Sequence, residues 1–416
     1  MNPGNDDVLI LGGGVIGLSC ALFLLEQGRS VRILEKNTVG GATSLGNCGT
    51  ITPSHAPPLA APGMIGKALK YMTQADAPFY IKPSTDLSLL DWLLRFSLRC
   101  NGRDHRQSAL AKAKLLNASR PLLEDLIVRY AFDCGFEANG EMYVCRTPEG
   151  LDALVKELPL LAECGVIAEL LDADMLAARE PALMPGMAGG IFFPNDAHFR
   201  PDAFCASLAG AVRALGGIIE EQCEVLSVAV DGDRVTCVET ACGRRYGTQV
   251  LVALAAWSPA MLRSLGLALP IQPGKGYSIS YSLPPIVPKT PLVLTERSVC
   301  VTSWAEGYRL GSTMEFAGFD DSLNIQRLNA LERGAREYLR TPVGGEVLSR
   351  WSGWRPMTYD DLPILGRSPK HRNLFLATGH GMLGMSMSAI TGQLLAAQMT
   401  GNEPAIDLAP YSAARF

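Results

Sequence analysis

Residues 8–35 read VLILGGGVIGLSCALFLLEQGRSVRILE. An apolar run, Val8 to Leu11, enters Gly12-x-Gly14-x-x-Gly17, continues as a helical pattern that stops at Gly28, and gives way to a second apolar run, Val31 to Leu34, closed by Glu35. That order predicts a strand, a tight turn, a helix and a second strand, the arrangement that binds a dinucleotide. Gly12 allows the turn, Gly14 lets backbone approach a pyrophosphate, and Gly17 lets the helix close on the strand. The helix start at Val15 and Ile16 offers N–H donors and the positive end of the dipole to phosphate. Glu35, 23 residues after Gly12, is placed to accept from ribose hydroxyls and to disfavour a 2′-phosphate; the adjoining Lys36 joins the candidate contacts.

The same reading disposes of a membrane span. Val8 to Leu25 is an uncharged run of 18 residues, but Asp6 and Asp7 precede it where a signal peptide carries Lys or Arg, and Gly12, Gly13, Gly14 and Gly17 interrupt it. The whole chain has 416 residues, enough for two or three domains, and its 48% hydrophobic and 19% charged content excludes disorder. With 37 Lys+Arg against 41 Asp+Glu, it lacks the basic surplus that nucleic acid requires. The 11 cysteines contain no C-x-x-C pair, so neither a disulfide framework nor a zinc site is expected, and a reducing compartment, the cytoplasm, is. His55 and His198 lack ligand-spaced partners; no metal is expected.

After Glu35 comes a long small-residue loop, GGATSLGNCGTITP (Gly40 to Pro53), where a nicotinamide enzyme would pass quickly to its next βα unit. Such a loop suits a flavin, with Thr43, Ser44, Asn47 and Gly49 as candidate contacts. Near the other end an apolar strand, Leu374 to Thr378, enters a second glycine-rich turn (Gly379, His380, Gly381, Met382, Leu383, Gly384), and Ser386 to Gly401 reads as a buried helix. Its N-terminus, aimed at the flavin, would stabilise negative charge there. Both ends must meet at one cofactor. The predicted architecture is therefore α/β plus α+β, a Rossmann-like FAD-binding domain (1–92, 199–262 and 346–416) interleaved with a mostly antiparallel-sheet substrate domain (93–198 and 263–345). Helices are expected at 104–134 and 322–340, short strands over Glu224 to Val230, and a strand over Gln249 to Ser258.

These motifs, with Ala60-Ala61-Pro62-Gly63, Gly274-Lys275-Gly276-Tyr277, Tyr308 to Glu315 (YRLGSTME) and Trp351 to Gly366, resemble the bacterial D-amino acid dehydrogenases of the FAD-dependent D-amino-acid-oxidase superfamily over nearly the whole chain. Glycine oxidase, sarcosine oxidases and D-hydroxyproline dehydrogenases belong to the same superfamily, so the motifs specify cofactor and amine chemistry better than substrate. The resemblance implies non-covalent FAD, with Val225 holding the adenine through its backbone. It also implies hydride transfer from a D-amino or D-imino acid to flavin N5, and a quinone or other electron-transfer acceptor at the membrane. A flavin-binding subunit of a larger complex remains open, as does the oligomeric state. Two departures stand out: Ala255-Ala256 occupies a position where relatives carry a glycine, and Cys48 lies within the flavin loop, where it reads as a packing residue.

An amino-acid carboxylate buried without a partner costs several kcal/mol, so the pocket needs a cation, and an arginine fork suits it. Arg355, in Gly353-Trp354-Arg355-Pro356, matches the superfamily's anchor segment. Tyr277 and Tyr308 are candidates to close the pocket. Arg309 stands where oxygen-reacting sarcosine oxidases carry a lysine, which points to a dehydrogenase, and His380 is expected beside the flavin rather than as a base. Once the amine is neutral, no dedicated base is required. Leu87 to Cys100 forms an apolar stripe with Arg95 and Arg99, read as a helix packed under the substrate domain or, alternatively, as a peripheral contact with the membrane.

Overall fold

Strand Asn5–Leu11 lies at the centre of a parallel sheet, flanked by Val31–Leu34 on one side and Gly243–Val252 on the other. A computed structural model describes residues 5–72 and 77–416. Ile218–Glu220 extends the sheet beyond Val31–Leu34, and Leu374–Thr378 extends it beyond Gly243–Val252, with Ile364–Arg367 antiparallel at the edge. The first and last glycine-rich turns therefore leave the same sheet. The chain leaves the first sheet twice to build the second: four of its strands lie between Val31–Leu34 and Ile218–Glu220 and six between Gly243–Val252 and Ile364–Arg367, so the first sheet is discontinuous in sequence.

Helix Val15–Glu26 explains the uncharged run. Every residue from Val15 to Leu24 except Ile16 is buried, so it has no polar face to present. It packs against helix Gly384–Met399, and a Cβ on Gly392 would stand 2.7 Å from the Ser19 carbonyl oxygen, so glycine sets that close approach. Helix Gly102–Arg129 covers the other side of Gly384–Met399. It ends five residues before the expected 134, where Ala131 adopts φ +50°.

The second sheet is centred on Ile271–Tyr281, paired antiparallel along its length with Val347–Thr358. Gly307–Gly311, Val299–Trp304, Leu292–Leu294, Glu141–Cys145, Gly189–Phe193 and Glu169–Asp172 follow outward, and Met314–Phe316 and Phe79–Ile81 lie on the other side. Most pairs are antiparallel, as expected. Sheet membership departs from the expected partition in three places. Val347–Thr358, which carries Arg355, and Phe79–Ile81 belong to the second sheet, while Gly102–Arg129 packs into the core of the first. Long-range pairing and packing decide these memberships, and neither leaves a local signature. The strand expected over Gln249 to Ser258 stops at Val252, because Ala255 turns the chain at φ +47°. That left-handed position is where a glycine would sit without strain.

Candidate active site

Two helices start at one cavity. Val15–Glu26 and Gly384–Met399 have Gly14 and Leu383 as N-cap residues, neither of which offers a side-chain cap, and no acidic residue sits in either first turn. Orphan N–H donors and two positive dipole ends thus face the same space. The cavity is about 640 Å³ and runs from Gly14, Val15 and Ile16, past Thr43 to Cys48, to Gly381 through Met385.

The glycines of the first turn are required sterically. Gly12 has φ +105°, with room for a Cβ only 2.5 Å from the Ala253 carbonyl oxygen, and a Cβ on Gly17 would stand 2.0 Å from the Gly12 carbonyl oxygen. Gly14 faces only Ser44 Oγ, at 3.4 Å from its Cβ position, which leaves its backbone open to the cavity. Glu35 closes over the turn: its carboxylate accepts from the Gly13 N–H at 2.8 Å and the Asn37 N–H at 2.9 Å. Ser44 Oγ accepts from the Val15 N–H at 3.1 Å, so the flavin-type loop is tied to the helix start.

The loop is tied to the second sheet as well. Thr43 donates to the Trp354 carbonyl at 2.9 Å, Asn47 donates to the Met382 carbonyl at 3.4 Å and accepts from the Gly49 N–H at 2.7 Å. Trp351 lies on Gly46, whose Cβ position is 2.0 Å from the indole. Arg309 holds the loop backbone, donating to the Leu45 carbonyl at 2.9 Å and the Asn47 carbonyl at 2.5 Å.

Arg355 lines the cavity and donates to the Thr313 carbonyl at 2.8 Å and the Ser312 carbonyl at 3.3 Å. Its guanidinium lies flat on Gly276, two residues along the neighbouring strand from its paired residue Gly274; a Cβ on Gly276 would be 2.4 Å from Cζ. Burial lowers the guanidinium from its ordinary value while the Cys48 and Cys300 sulfurs act the other way, yet arginine keeps its proton in proteins. Among the described residues no aspartate or glutamate lines the cavity. Arg355 thus brings a positive charge into a largely apolar space bounded by Met314, Phe316, Trp92 and Phe96. His380 also lines it, with Nε2 3.0 Å from Thr391 Oγ1, and burial pushes the imidazole down to about 3, so it is neutral.

Other expectations are corrected. Tyr277 and Tyr308 do not line the cavity: both are buried in the core of the second sheet, where Tyr277 donates to Glu315 at 2.7 Å and Tyr308 to the Pro342 carbonyl at 3.1 Å. Tyr277 and Arg355 stand on paired strands, but alternation along Ile271–Tyr281 puts Gly276, not Tyr277, beneath the guanidinium. Arg309 is a clamp on the loop rather than a cavity residue. Lys36 pairs with Glu224 at 2.7 Å on the surface, and Val225 opens strand Val225–Asp231 near Glu35, two residues after Cys223, whose N–H bonds the Glu35 carbonyl at 2.8 Å. Gly379 has φ +74° and lies beside Thr358, behind the turn, whereas Gly381, Met382, Leu383 and Gly384 line the cavity. Cys48 is a wall residue, its Sγ 2.6 Å from the Cβ position of Gly311, and the Cys300 thiol, with Arg309 and Arg355, holds it below its ordinary value. Tyr143 escaped the sequence reading, and Gly276, Gly46, Trp351 and His55, though within stretches it quoted or named, were given no place at the site. The Gly-x-Gly spacing at 274–276 is the local signal that pointed at Gly276.

Comparison with known proteins matches the geometry. The family model for FAD dependent oxidoreductases (DAO) matches residues 7–398. The chain belongs to this family. Its curated relatives include a protein named D-amino acid dehydrogenase from Vibrio cholerae, 32% identical over 405 residues, covering 95% of this chain and 96% of the relative. Another of that name, from Methylobacterium radiotolerans, is 34% identical over 408 residues, covering 96% and 97%. Among solved structures, glycine oxidase from Geobacillus kaustophilus superposes with a TM-score of 0.78 at 25% identity, covering 99% of both chains.

This family member has the residues to hold FAD. Its glycine cradle admits no Cβ at Gly12 or Gly17, two helix starts whose N-cap residues make no side-chain cap bond supply donors, and Glu35 follows the second strand. Thr43, Ser44, Asn47 and the 381–384 turn would flank the flavin end.

Proposed function

We propose that the chain oxidises D-amino acids at the α-carbon to the imine, which water hydrolyses to a 2-oxo acid and ammonia, with electrons passed to a quinone or another non-oxygen acceptor. One observation carries this reading: Arg355 is a fixed cation in a largely apolar cavity that reaches both helix starts and that no carboxylate among the described residues lines. A carboxylate substrate gains a bidentate, charge-assisted partner there that water does not screen. FAD, when bound, supplies the two-electron acceptor. The chain's own part is orientation: Arg355 fixes the carboxylate, the apolar wall sets the side chain and excludes water, and a neutral His380 adds no competing charge. Val225 and Lys36 belong to the adenine side of this proposal. The named function of the Vibrio and Methylobacterium relatives supports the D-amino acid choice.

The test is anaerobic. Each D- and L-amino acid, with D-proline, cis-4-hydroxy-D-proline, glycine and sarcosine, is added to the flavoprotein and the oxidised-flavin absorbance followed; D-amino acids are expected to bleach it fastest. Reoxidation by a quinone analogue but not by oxygen is the expected acceptor pattern. Bleaching by glycine or sarcosine alone, followed by rapid reoxidation in air, would sink it.

The acceptor reading has a surface to match. Helix Leu87–Arg99 turns Leu89 and Trp92 inward but leaves Leu87, Leu90, Leu94 and Leu98 exposed, and neighbouring helix Met64–Met72 exposes Ile65, Leu69 and Met72. Both helices also line the cavity. A peripheral contact with the cytoplasmic face of a membrane through this patch would bring an apolar acceptor to the cavity. Among the described residues no helix is long and apolar enough to cross a membrane.

A further inference from the structure

The cavity has a cation and, among the described residues, no lining acid, yet a carboxyl group lies directly behind its wall. Glu141 is fully buried at the start of strand Glu141–Cys145, and neither of its carboxyl oxygens has a hydrogen-bond partner. Buried polar groups are nearly always paired, so an unpaired carboxyl at this depth calls for a reason. Its Oε2 lies 3.7 Å from His55 Nδ1, itself without a partner, and His55 Nε2 lies 2.8 Å from the Tyr143 hydroxyl. Glu141 and Tyr143 are two apart on one strand and so share a face. His55 ends the turn Pro53–His55, which Ser54 fixes by bonding to Asp196. His55 and Tyr143 both line the cavity.

An α-amino acid in water is a zwitterion. Arg355 answers its carboxylate, but the ammonium must lose a proton before the nitrogen lone pair can form the C=N bond as the α-hydrogen leaves. Among the described residues no lining carboxylate pairs that ammonium, and His380 is already bonded to Thr391. We propose that Tyr143, His55 and Glu141 form a relay that carries the ammonium proton of the substrate out of the cavity to Glu141. The relay rests on the amine-oxidation reading above and adds the step that makes the amine neutral.

The balance is one proton and no electrons. An N–H bond of the ammonium breaks as an O–H bond forms on Tyr143. Tyr143 gives its own proton to His55 Nε2, and the Nδ1 proton crosses to Glu141 Oε2. A buried ammonium and a buried carboxylate become an amine and a carboxylic acid, and a low-dielectric site favours that neutral pair. The surroundings agree. Burial first, then Asp196 and Cys48, pushes Glu141 well above the usual carboxylate range, which makes it a strong proton acceptor once ionised. Burial and Lys112 push His55 down to about 4, so the imidazole carries a proton without keeping it. The charged and titratable groups facing the relay are Lys112, paired with Asp361 at 2.5 Å on helix Gly102–Arg129; Asp196, with Arg120 beside it; and Cys48 and Cys300.

Glu141 accepts only when ionised, so the rate constant for anaerobic flavin reduction divided by substrate Kd falls as pH falls through the raised Glu141 value. The experiment measures this ratio against pH for the wild-type holoenzyme and for Glu141→Gln, His55→Gln and Tyr143→Phe. Each variant is expected to lose about 10²-fold near neutrality, within the usual range for proton-transfer groups. The deficit closes as pH rises and the substrate arrives already neutral, so the ascending limb moves up to that of the free amine. A loss by the same factor at every pH marks a packing defect and overturns the relay. An infrared pH titration of the holoenzyme supplies the second readout: a neutral-carboxyl band that persists above the usual carboxylate range and vanishes in Glu141→Gln is expected. Its absence overturns the assignment. If Glu141→Gln loses flavin, the pH profiles of the other two decide. A wild-type protein that no amine bleaches overturns the function reading, and the infrared band then still reports on Glu141 by itself.

Discussion

Arg355, half-buried in the cavity lining, and Glu141, fully buried behind the wall, are ionisable groups built in opposite ways. Arg355 lies on Gly276 and donates to two carbonyl oxygens, while Glu141 has no partner at either oxygen. Desolvation acts on both, but only the carboxyl can escape it by changing protonation state at working pH. A partnered, permanent charge suits the anchor role proposed for Arg355. An unpartnered, titratable one suits the proton-acceptor role proposed for Glu141.

The strongest way to break this contrast is Arg355→Ala. Removing one partner of a buried charge pair costs about 3–5 kcal/mol, so kcat/KM for D-amino acids is expected to fall about 10³-fold while flavin content stays unchanged. Steady-state kinetics with a flavin-to-protein absorbance ratio checks both halves; an unchanged KM would remove Arg355 from the anchor role. Gly276→Ala tests the seat rather than the charge. Its Cβ would enter 2.4 Å from the guanidinium carbon, displacing the fork, and a displacement on the order of 1 Å costs about 10²-fold in kcat/KM.

Glu141→Gln sharpens the other half through stability. A carboxyl raised in the folded state binds more protons there than in the unfolded chain, so its stabilising contribution is complete below the unfolded value near ~4 and is lost as pH rises through the raised one. Thermal unfolding should therefore show the variant gaining on the wild type as pH rises from ~4 toward the raised value, with each unit of upward shift worth about 1.4 kcal/mol. A constant difference across that range would mean Glu141 does not titrate as described. His55 has the opposite sign: its contribution is present above the unfolded value and is lost as pH falls toward about 4. The smallest kinetic effects belong to Tyr277→Phe and Tyr308→Phe. Both are core hydrogen bonds, so each should lower stability by about 1–2 kcal/mol and leave KM within about 2-fold. A large KM change would return them to the cavity.

The two glycine-rich ends were legible because each is local. Strand, turn and helix follow one another at 8–28 and again at 374–401, and Gly12 and Gly17 meet backbone within their own turn or its neighbouring strand. Arg355 was legible for a chemical reason, since a carboxylate needs a fork. Tyr277 and Tyr308 misled because a tyrosine suits a pocket and a core equally well, and only the pairing of Ile271–Tyr281 with its neighbours buries them. The domain boundary at 346 failed similarly: Val347–Thr358 runs directly into the cofactor half in sequence but pairs with the other sheet.

The sequence by itself determined the dinucleotide-binding frame and the return of the chain to one sheet, and it singled out the flavin-type loop and Arg355 as the proposed carboxylate anchor. Those follow from residue types at short, fixed spacings, where backbone geometry leaves few alternatives. The tertiary structure alone decided what surrounds that anchor. Gly276, Cys48, His55, Tyr143 and Glu141 come from four separate segments, and their chemistry depends on distances and desolvation that arise only when the two sheets pack. An unpartnered carboxyl behind a cavity wall has no sequence pattern, because being buried and being unpaired are properties of its neighbours.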